Sequence, residues 1–233
     1  MTDPRLNPLR SSPTYAVRAP LVRWLRDQAV RAHDDLGRYR VLDVGCGQKP
    51  YEPLFAPYAD AYVGVDAVEN PRAELRGPVE ALPVEDGSFE LVLCNQVLEH
   101  TDDPSQAIRE LCRAVAPGGR LLLSTHGTQV YHPSPVDYWR WTHAGLEKIL
   151  RDNGDWASVT VVPSSGTTAC IAMLLNVYID LAARRAHAGA LARPVVTGLN
   201  AAAEAIDRRS ATLREPRPGT LFANLHALAE KPQ

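Results

Sequence analysis

Apolar residues first settle into helical spacing between positions 21 and 36. Leu21, Trp24, Leu25, Ala29, Ala32 and Leu36 recur every three or four residues there, with Arg23, Arg26, Asp27 and Asp34 turned the other way. That period predicts an amphipathic helix. The pattern then changes to short apolar runs at 39–44, 61–65, near 73–76, 89–94, 120–125 and 158–162, with a last run inside 221–232. Runs of this length bounded by turn residues predict buried strands. Helical spacing returns after residue 103. Asp103 can cap this helix, Pro104 suits its first position and Gln106 completes a capping box. Ile108, Leu111, Cys112 and Val115 form its buried stripe, and Gly118-Gly119 is the expected stop. Thr142 opens a further helix, with Leu146, Ile149 and Leu150 inward and Asn153-Gly154 at its end. Strands alternating with helices predict an α/β fold, a doubly wound parallel sheet covered on both faces.

Residues 167–214 break this rhythm. Two long helical stretches, 168–191 and about 195–213, are separated by Pro194. In the first, Met173, Leu174, Leu175, Val177, Tyr178, Leu181 and Ala182 make a broad apolar face, whose default reading is core packing. A substrate cover or a homodimer surface is the functional reading of the pair. A membrane-surface role ranks last and is suggested by Arg184-Arg185 directly after the face. Residues 1–19 hold three prolines and read as an arm.

The 233 residues, 45% hydrophobic and 22% charged, suit one soluble domain. Its expected parts are an arm and helix (1–37), a core (38–163), a helical pair (164–216) and a terminal strand (217–233). Positions 1–10 are polar, and the apolar stretch 169–183 is broken by Asn176 and Asp180, so no leader or spanning segment is expected. Cys46, Cys94, Cys112 and Cys170 show no paired spacing, which suits reduced thiols in a cytoplasm and offers no zinc site. The net charge of −2 conceals an uneven layout. Residues 1–40 carry eight Arg against four acids, residues 171–220 seven Arg against four, and 41–170 nine bases against eighteen acids. Docking of the basic ends on the acidic middle, or plain solvation, is preferred to an anionic acceptor or membrane. Nucleic acid is not expected, because no basic patch interleaved with aromatics is present.

The chemistry gathers at the strand ends. Residues 41–47 read Val-Leu-Asp-Val-Gly-Cys-Gly, and nineteen residues past Gly47 a second apolar run ends in Asp66. A strand, a glycine turn and an acid at the next strand's tip is the sequence form of a nucleotide-binding crevice. Further on stand Asp86-Gly87-Ser88-Phe89, Asn95-Gln96, Val97-Leu98-Glu99-His100 and Ala116-Pro117-Gly118-Gly119. In this order the motifs resemble the class I S-adenosylmethionine-dependent methyltransferases, in their small-molecule branch, strongly over about 38–163. The resemblance implies a Rossmann-like seven-stranded sheet whose last strand enters antiparallel, here interrupted by an inserted C-terminal helical pair. It implies S-adenosyl-L-methionine as cofactor and S-adenosyl-L-homocysteine as product. Asp43, Gly45, Cys46 and Gly47 would hold the methionine end, Asp66 with Ala67 the ribose, and Asn95 and Gln96 the methyl-transfer pocket. Glu80, Ala81 and Leu82 would meet the adenine, with Leu82 stacking on the ring and an Ala81 or Val79 amide bonding it. The family's third small residue is missing, since Lys49 or Pro50 stands there, and Pro78 replaces its usual adenine-side Asp.

For the reaction, His100 and His126 are ranked together as general base, with His132 behind. Tyr131–Thr142 interleaves aromatics with His, Asp and Arg, and His132, Asp137 and Tyr138 are its expected acceptor-binding residues. Arg140 and Trp141 read as structural. Relatives that bind a divalent ion use Glu-x-x-Glu-His; Gln96 stands at the first position here, so no metal is expected. The expected activity is methylation of a small molecule, most simply at oxygen, in glycan, lipid or secondary-metabolite tailoring. A non-catalytic methyltransferase-like scaffold and a nicotinamide-dependent Rossmann oxidoreductase are the alternatives.

Overall fold

The structure, a computed structural model, describes residues 3–133 and 136–233. Seven strands form one sheet: β1 (Tyr39–Val44), β2 (Ala59–Asp66), β3 (Leu75–Arg76), β4 (Phe89–Asn95), β5 (Val115–His126), β6 (Ser158–Pro163) and β7 (Asn224–Glu230). Their order is β3-β2-β1-β4-β5-β7-β6. β1 runs parallel to β2 and β4, and β4 to β5. β7 enters antiparallel to both neighbours, with Leu228 opposite Leu122 and Ala227 opposite Val161. The expected sheet, including its reversed last strand, is the one observed.

Six helices surround it: α1 (Tyr15–Leu36), α2 (Glu52–Phe55), α3 (Pro104–Ala114), α4 (His143–Asn153), α5 (Thr167–Arg185) and α6 (Gly189–Arg209). Alternate residues of each central strand feed opposite cores. Leu42, Val92 and Cys94 pack with Ile108, Leu111, Leu146 and Leu150 of α3 and α4. Val41, Leu91 and Leu93 pack with Leu21, Leu25, Ala29 and Phe55 of α1 and α2. Because both faces are covered, the strands read as continuous apolar runs rather than alternating ones.

Three local expectations are corrected. Asp103 does cap α3, accepting from the Gln106 amide at 3.0 Å. The Gln106 side chain does not close a capping box; it donates to the Glu80 carbonyl at 3.2 Å. Nor does α3 run to Gly118-Gly119: it ends at Ala114, and β5 starts at once, carrying both glycines within it. Gly119 has no room for a side chain, since a Cβ would fall 2.7 Å from the Glu90 carbonyl oxygen of β4. The helical pair, finally, does not divide at Pro194. The break lies at 186–188, where His187 takes a φ of 52°, and Pro194 sits early in α6. A proline near a helix start forfeits little of the hydrogen-bond ladder.

α1 starts six residues earlier than its apolar period suggested, at Tyr15. Ala16 and Val17 of this first turn pack on Ala169, Cys170, Met173 and Ala203 of the α5–α6 hairpin. The hairpin is closed by polar bonds. Asn176 Nδ2 donates to Asn200 Oδ1 at 2.9 Å, and the buried Asp207 carboxylate accepts from the Thr168 and Ala169 amides at 3.1 and 2.9 Å. Asp207 therefore caps α5 from the last turns of α6. Replacing Asp207 with Ala should cost about 1–2 kcal/mol, as loss of a helix cap does, read as a lower urea midpoint.

Candidate functional site

β1 and β4 are neighbours whose chains leave in opposite directions, so their carboxyl ends open a crevice. The bend after β1 is built on glycine. Gly45 and Gly47 have φ of 69° and 50°, a region that ordinary side chains disfavour. A Cβ on Gly45 would also lie 2.4 Å from Val97 Cγ2. The Gly45 and Cys46 amides donate to the Val65 carbonyl at 2.9 and 3.2 Å, tying the bend to β2. Asp66, at the tip of β2, accepts through Oδ2 from the Gly47 amide at 3.2 Å and from Asn70 Nδ2 at 2.9 Å. The residue in place of the family's third small position has its own solution: Lys49 takes a φ of 53°, is buried, and reaches both Glu74 carboxylate oxygens at 2.6 Å.

Asp43 ends β1 beneath this bend. It is buried, accepts from the Tyr62 hydroxyl at 2.8 Å, and burial pushes its carboxyl up to about 7 despite that bond and the nearby Lys49 charge. At the end of β4, Gln96 adopts a φ of 59° and spends its side chain on Ser124 Oγ and Asn224 Oδ1, both at 3.1 Å. Asn95 Oδ1 accepts from Ser124 Oγ at 3.0 Å, while its buried Nδ2 has no partner.

A short helical turn, Leu98–His100, follows and brings in Glu99. Its side chain is fully buried, accepts from Thr125 Oγ1 at 2.8 Å, and lies 3.2 Å from His126 Nε2 at the end of β5. Burial raises the Glu99 carboxyl to about 7 and lowers His126 to about 4. His126 Nδ1 is buried without a partner among the described residues. The His100 ring stands 6.4 Å from that of His126 and 6.3 Å from that of His132, and its Nδ1 is fixed on the Val136 carbonyl. The returning loop is hung on the same turn, since the Tyr138 and Trp139 amides donate to the Glu99 carbonyl at 2.9 and 3.2 Å.

One cleft of about 460 Å³ joins these parts. Asp43, Gly45, Cys46, Gly47, Asn95, Gln96, His100, His126 and His132 all line it. Asp66 and Ala67 stand beside it at the β2 tip. Other expected residues lie elsewhere. Leu82 is buried in the core with α3, so it offers no stacking face, and the Ala81 amide is taken by the Pro78 carbonyl at 3.1 Å. Glu80 accepts from the Asp102 amide at 3.0 Å, bracing the loop after β4. Asp137 is spent on a two-pronged pair with Arg140 and on the His132 amide at 2.7 Å, so it shapes the loop rather than facing the cleft. Tyr138 is exposed. Arg140 and Trp141 are structural, as expected; Trp141 packs on the core. Ser134 and Pro135 of that loop lie outside the described residues.

Arg5, Thr14 and Arg18 complete the wall from the N-terminal segment, and Gln129 from the loop. Periodicity pointed to none of them. The signal available was the excess of arginine in residues 1–40, but this arm docks on the other basic end rather than on the acidic middle: Arg10 pairs with Glu204 at 2.8 Å, and Asn200 Nδ2 donates to the Arg10 and Ser12 carbonyls at 2.8 and 3.0 Å.

A family model described as a methyltransferase domain matches residues 15–155. The chain belongs to that family. It is a class I S-adenosylmethionine-dependent methyltransferase by family and fold, as its motifs implied. The uncharacterized methyltransferase YcgJ of Bacillus subtilis is 34% identical over 128 residues, 43% of this chain and 50% of its own. A ubiquinone biosynthesis O-methyltransferase of Bordetella avium is 31% identical over 128 residues, 48% of this chain and 52% of its own. The chain thus spans about half the length of the curated relatives it matches. Among solved structures, the 1,6-didemethyltoxoflavin-N1-methyltransferase of Burkholderia thailandensis, holding S-adenosylhomocysteine, aligns at a TM-score of 0.52 with 18% identity, over 90% of this chain and 78% of its own. The [4+2]-cyclase SpnF aligns at 0.56 with 20% identity, over 91% and 81%. These likenesses establish the fold and no particular reaction.

The two buried carboxyls make stability depend on pH. Their folded values, about 7, lie above the ordinary carboxylate range, so their contribution is complete at low pH and is lost as pH rises through 7. His126, held down at about 4, loses its contribution only as pH falls below the ordinary histidine range. The urea midpoint should therefore fall between about pH 6.5 and pH 8, and Asp43→Asn with Glu99→Gln should flatten that slope.

Proposed function

We propose that this protein methylates an oxygen of a small-molecule acceptor, using S-adenosylmethionine, with His126 as general base and Glu99 as its positioning residue. The observation that carries the reading is a single cleft running from the glycine bend to the Glu99–His126 pair. The bend suits the cofactor. Its backbone is bare where a side chain would collide, the Asp66 carboxylate stands at the β2 tip, and Asn95 Nδ2 is an unused donor at the wall. Gly45, Cys46 and Gly47 would lie along the methionine portion, Asp43 would face its ammonium, and Asp66 would accept from the ribose hydroxyls. When bound, the cofactor supplies an electrophilic methyl on a sulfonium, open to in-line displacement.

The protein's part is alignment and proton removal. His126 would turn its buried Nδ1 toward the acceptor to take the hydroxyl proton, and the ionised Glu99 carboxylate, 3.2 Å from Nε2 but not hydrogen-bonded to it in this structure, would stabilise the imidazolium that forms. His100, anchored at Nδ1, presents its other nitrogen nearby and serves to orient the acceptor. Arg5, whose guanidinium stands by Gly47, and Arg18 add positive charge at the glycine-bend end, where the cofactor's carboxylate would lie, and leave the His126 end to a hydroxyl-bearing acceptor. Tailoring of a glycan, lipid or secondary metabolite fits that chemistry, and the O-methyltransferase among the relatives supports attack at oxygen.

Two outcomes test this. Asp66→Ala should weaken S-adenosylhomocysteine binding tenfold or more in calorimetry, the loss of charge-assisted bonds worth about 1.5–3 kcal/mol, while leaving the fold intact by circular dichroism; equal affinity removes the ribose assignment. Across a labelled-methyl screen of phenols, sugars and lipids, the rate with an accepted substrate should rise with pH and level off above about 7. Glu99→Gln should abolish that inflection, and His126→Gln should lower kcat about 10²- to 10⁴-fold. Cofactor binding with no transfer to any acceptor would favour the scaffold reading instead.

A further inference from the structure

The α5–α6 hairpin leaves an apolar surface that the fold does not cover. Ile171, Leu175, Tyr178 and Leu181 follow one another at three- and four-residue steps along α5, and Leu175 and Tyr178 are 49% and 62% exposed. α6 repeats the pattern with Leu191, Val195 and Ile206, Leu191 being 75% exposed. The core reading of this face is therefore wrong for its outer half: Cys170 and Met173 are buried against α1, while the opposite side of the same helix has no partner among the described residues. α5 is long and apolar enough to cross a membrane by length and composition, yet its inner side is committed to α1 and α6. A helix so placed can lie in an interface but not traverse it.

Charge selects the occupant. Residues 181–203 contain Arg184, Arg185 and Arg193 and no acid. Arg184 is paired with Asp180 at 2.7 Å, whereas Arg185 on α5 and Arg209, about five turns beyond Leu191 on the same side of α6, have no acid in ion-pair range among the described residues. Arg208 and Arg209 mark the other end of α6. A second copy laid on this face, in either orientation, would set arginines against arginines. An anionic bilayer would neutralise them while the apolar side chains enter the boundary of headgroups and acyl chains.

We infer that the exposed face of the α5–α6 hairpin docks this protein on an anionic lipid surface, with the hairpin lying in the membrane plane. This goes beyond the methyl-transfer reading and does not depend on it: vesicle binding is measured without cofactor or acceptor, so either can fail alone.

The test is flotation of the full chain with phosphatidylcholine vesicles, with and without phosphatidylglycerol, alongside sedimentation velocity. The chain should float with the phosphatidylglycerol vesicles only, and less so at high salt. Leu175→Glu with Tyr178→Glu should abolish flotation. Arg185→Glu with Arg209→Glu should weaken it about tenfold or more. Both pairs change exposed side chains, and an unaltered circular dichroism melt confirms that the variants fold. A folded chain that floats with neither vesicle, or floats unchanged after Leu175→Glu with Tyr178→Glu, overturns the inference. So does a dimer that this pair dissociates in the absence of vesicle binding, which would assign the face to a second copy.

Discussion

The bend at Gly45–Gly47 is the constraint on which the site depends. It carries the chain from β1 over the end of β2, with two amides on the Val65 carbonyl and a third on the Asp66 carboxylate. Val97, from the chain after β4, packs where a Gly45 side chain would be. Three strand ends are thus locked together, with no side chain of the bend's glycines between them. The bare backbone that a nucleoside-bearing cofactor needs and the close packing that fixes the strand ends are one feature. Burial of Asp43 beneath this bend follows from it, and so does its raised carboxyl value.

Much of this was legible before any coordinates. The alternation of short apolar runs with helical spacing indicated a sheet covered on both faces, and each alternate residue of the central strands does enter a different core. Asp103 and Thr142 were recognisable caps because a short polar side chain before a helix has few other uses; Thr142 accepts from the Gly145 amide at 3.0 Å. The glycine bend and Asp66 were visible because backbone conformation and strand polarity are written locally. The errors came where a residue had more than one partner within reach. Gln106 could complete a capping box but met the Glu80 carbonyl first. Asp137 had the composition of a binding residue and instead pairs with Arg140, three residues on.

Long-range placement was the part that spacing could not supply. Nothing local connects Arg5 or Arg18 to the cleft; their position depends on α1 beginning at Tyr15 and on the hairpin that receives its first turn. Glu99 was noticed for a metal motif that Gln96 interrupts. Its partnership with His126 arises only when the ends of β4 and β5 lie side by side, with Asn95 opposite Ser124. The apolar face of α5 was likewise readable as a face but not as an exposed one, since periodicity tells which residues lie together and not what covers them.

The most direct test of the central claim is a crystal structure of the protein with S-adenosylhomocysteine. The account predicts the amino-acid portion along Gly45–Gly47, the ribose hydroxyls within hydrogen-bond distance of Asp66, and the sulfur directed toward His126. A ligand bound elsewhere, or a ribose with no contact to Asp66, would contradict it.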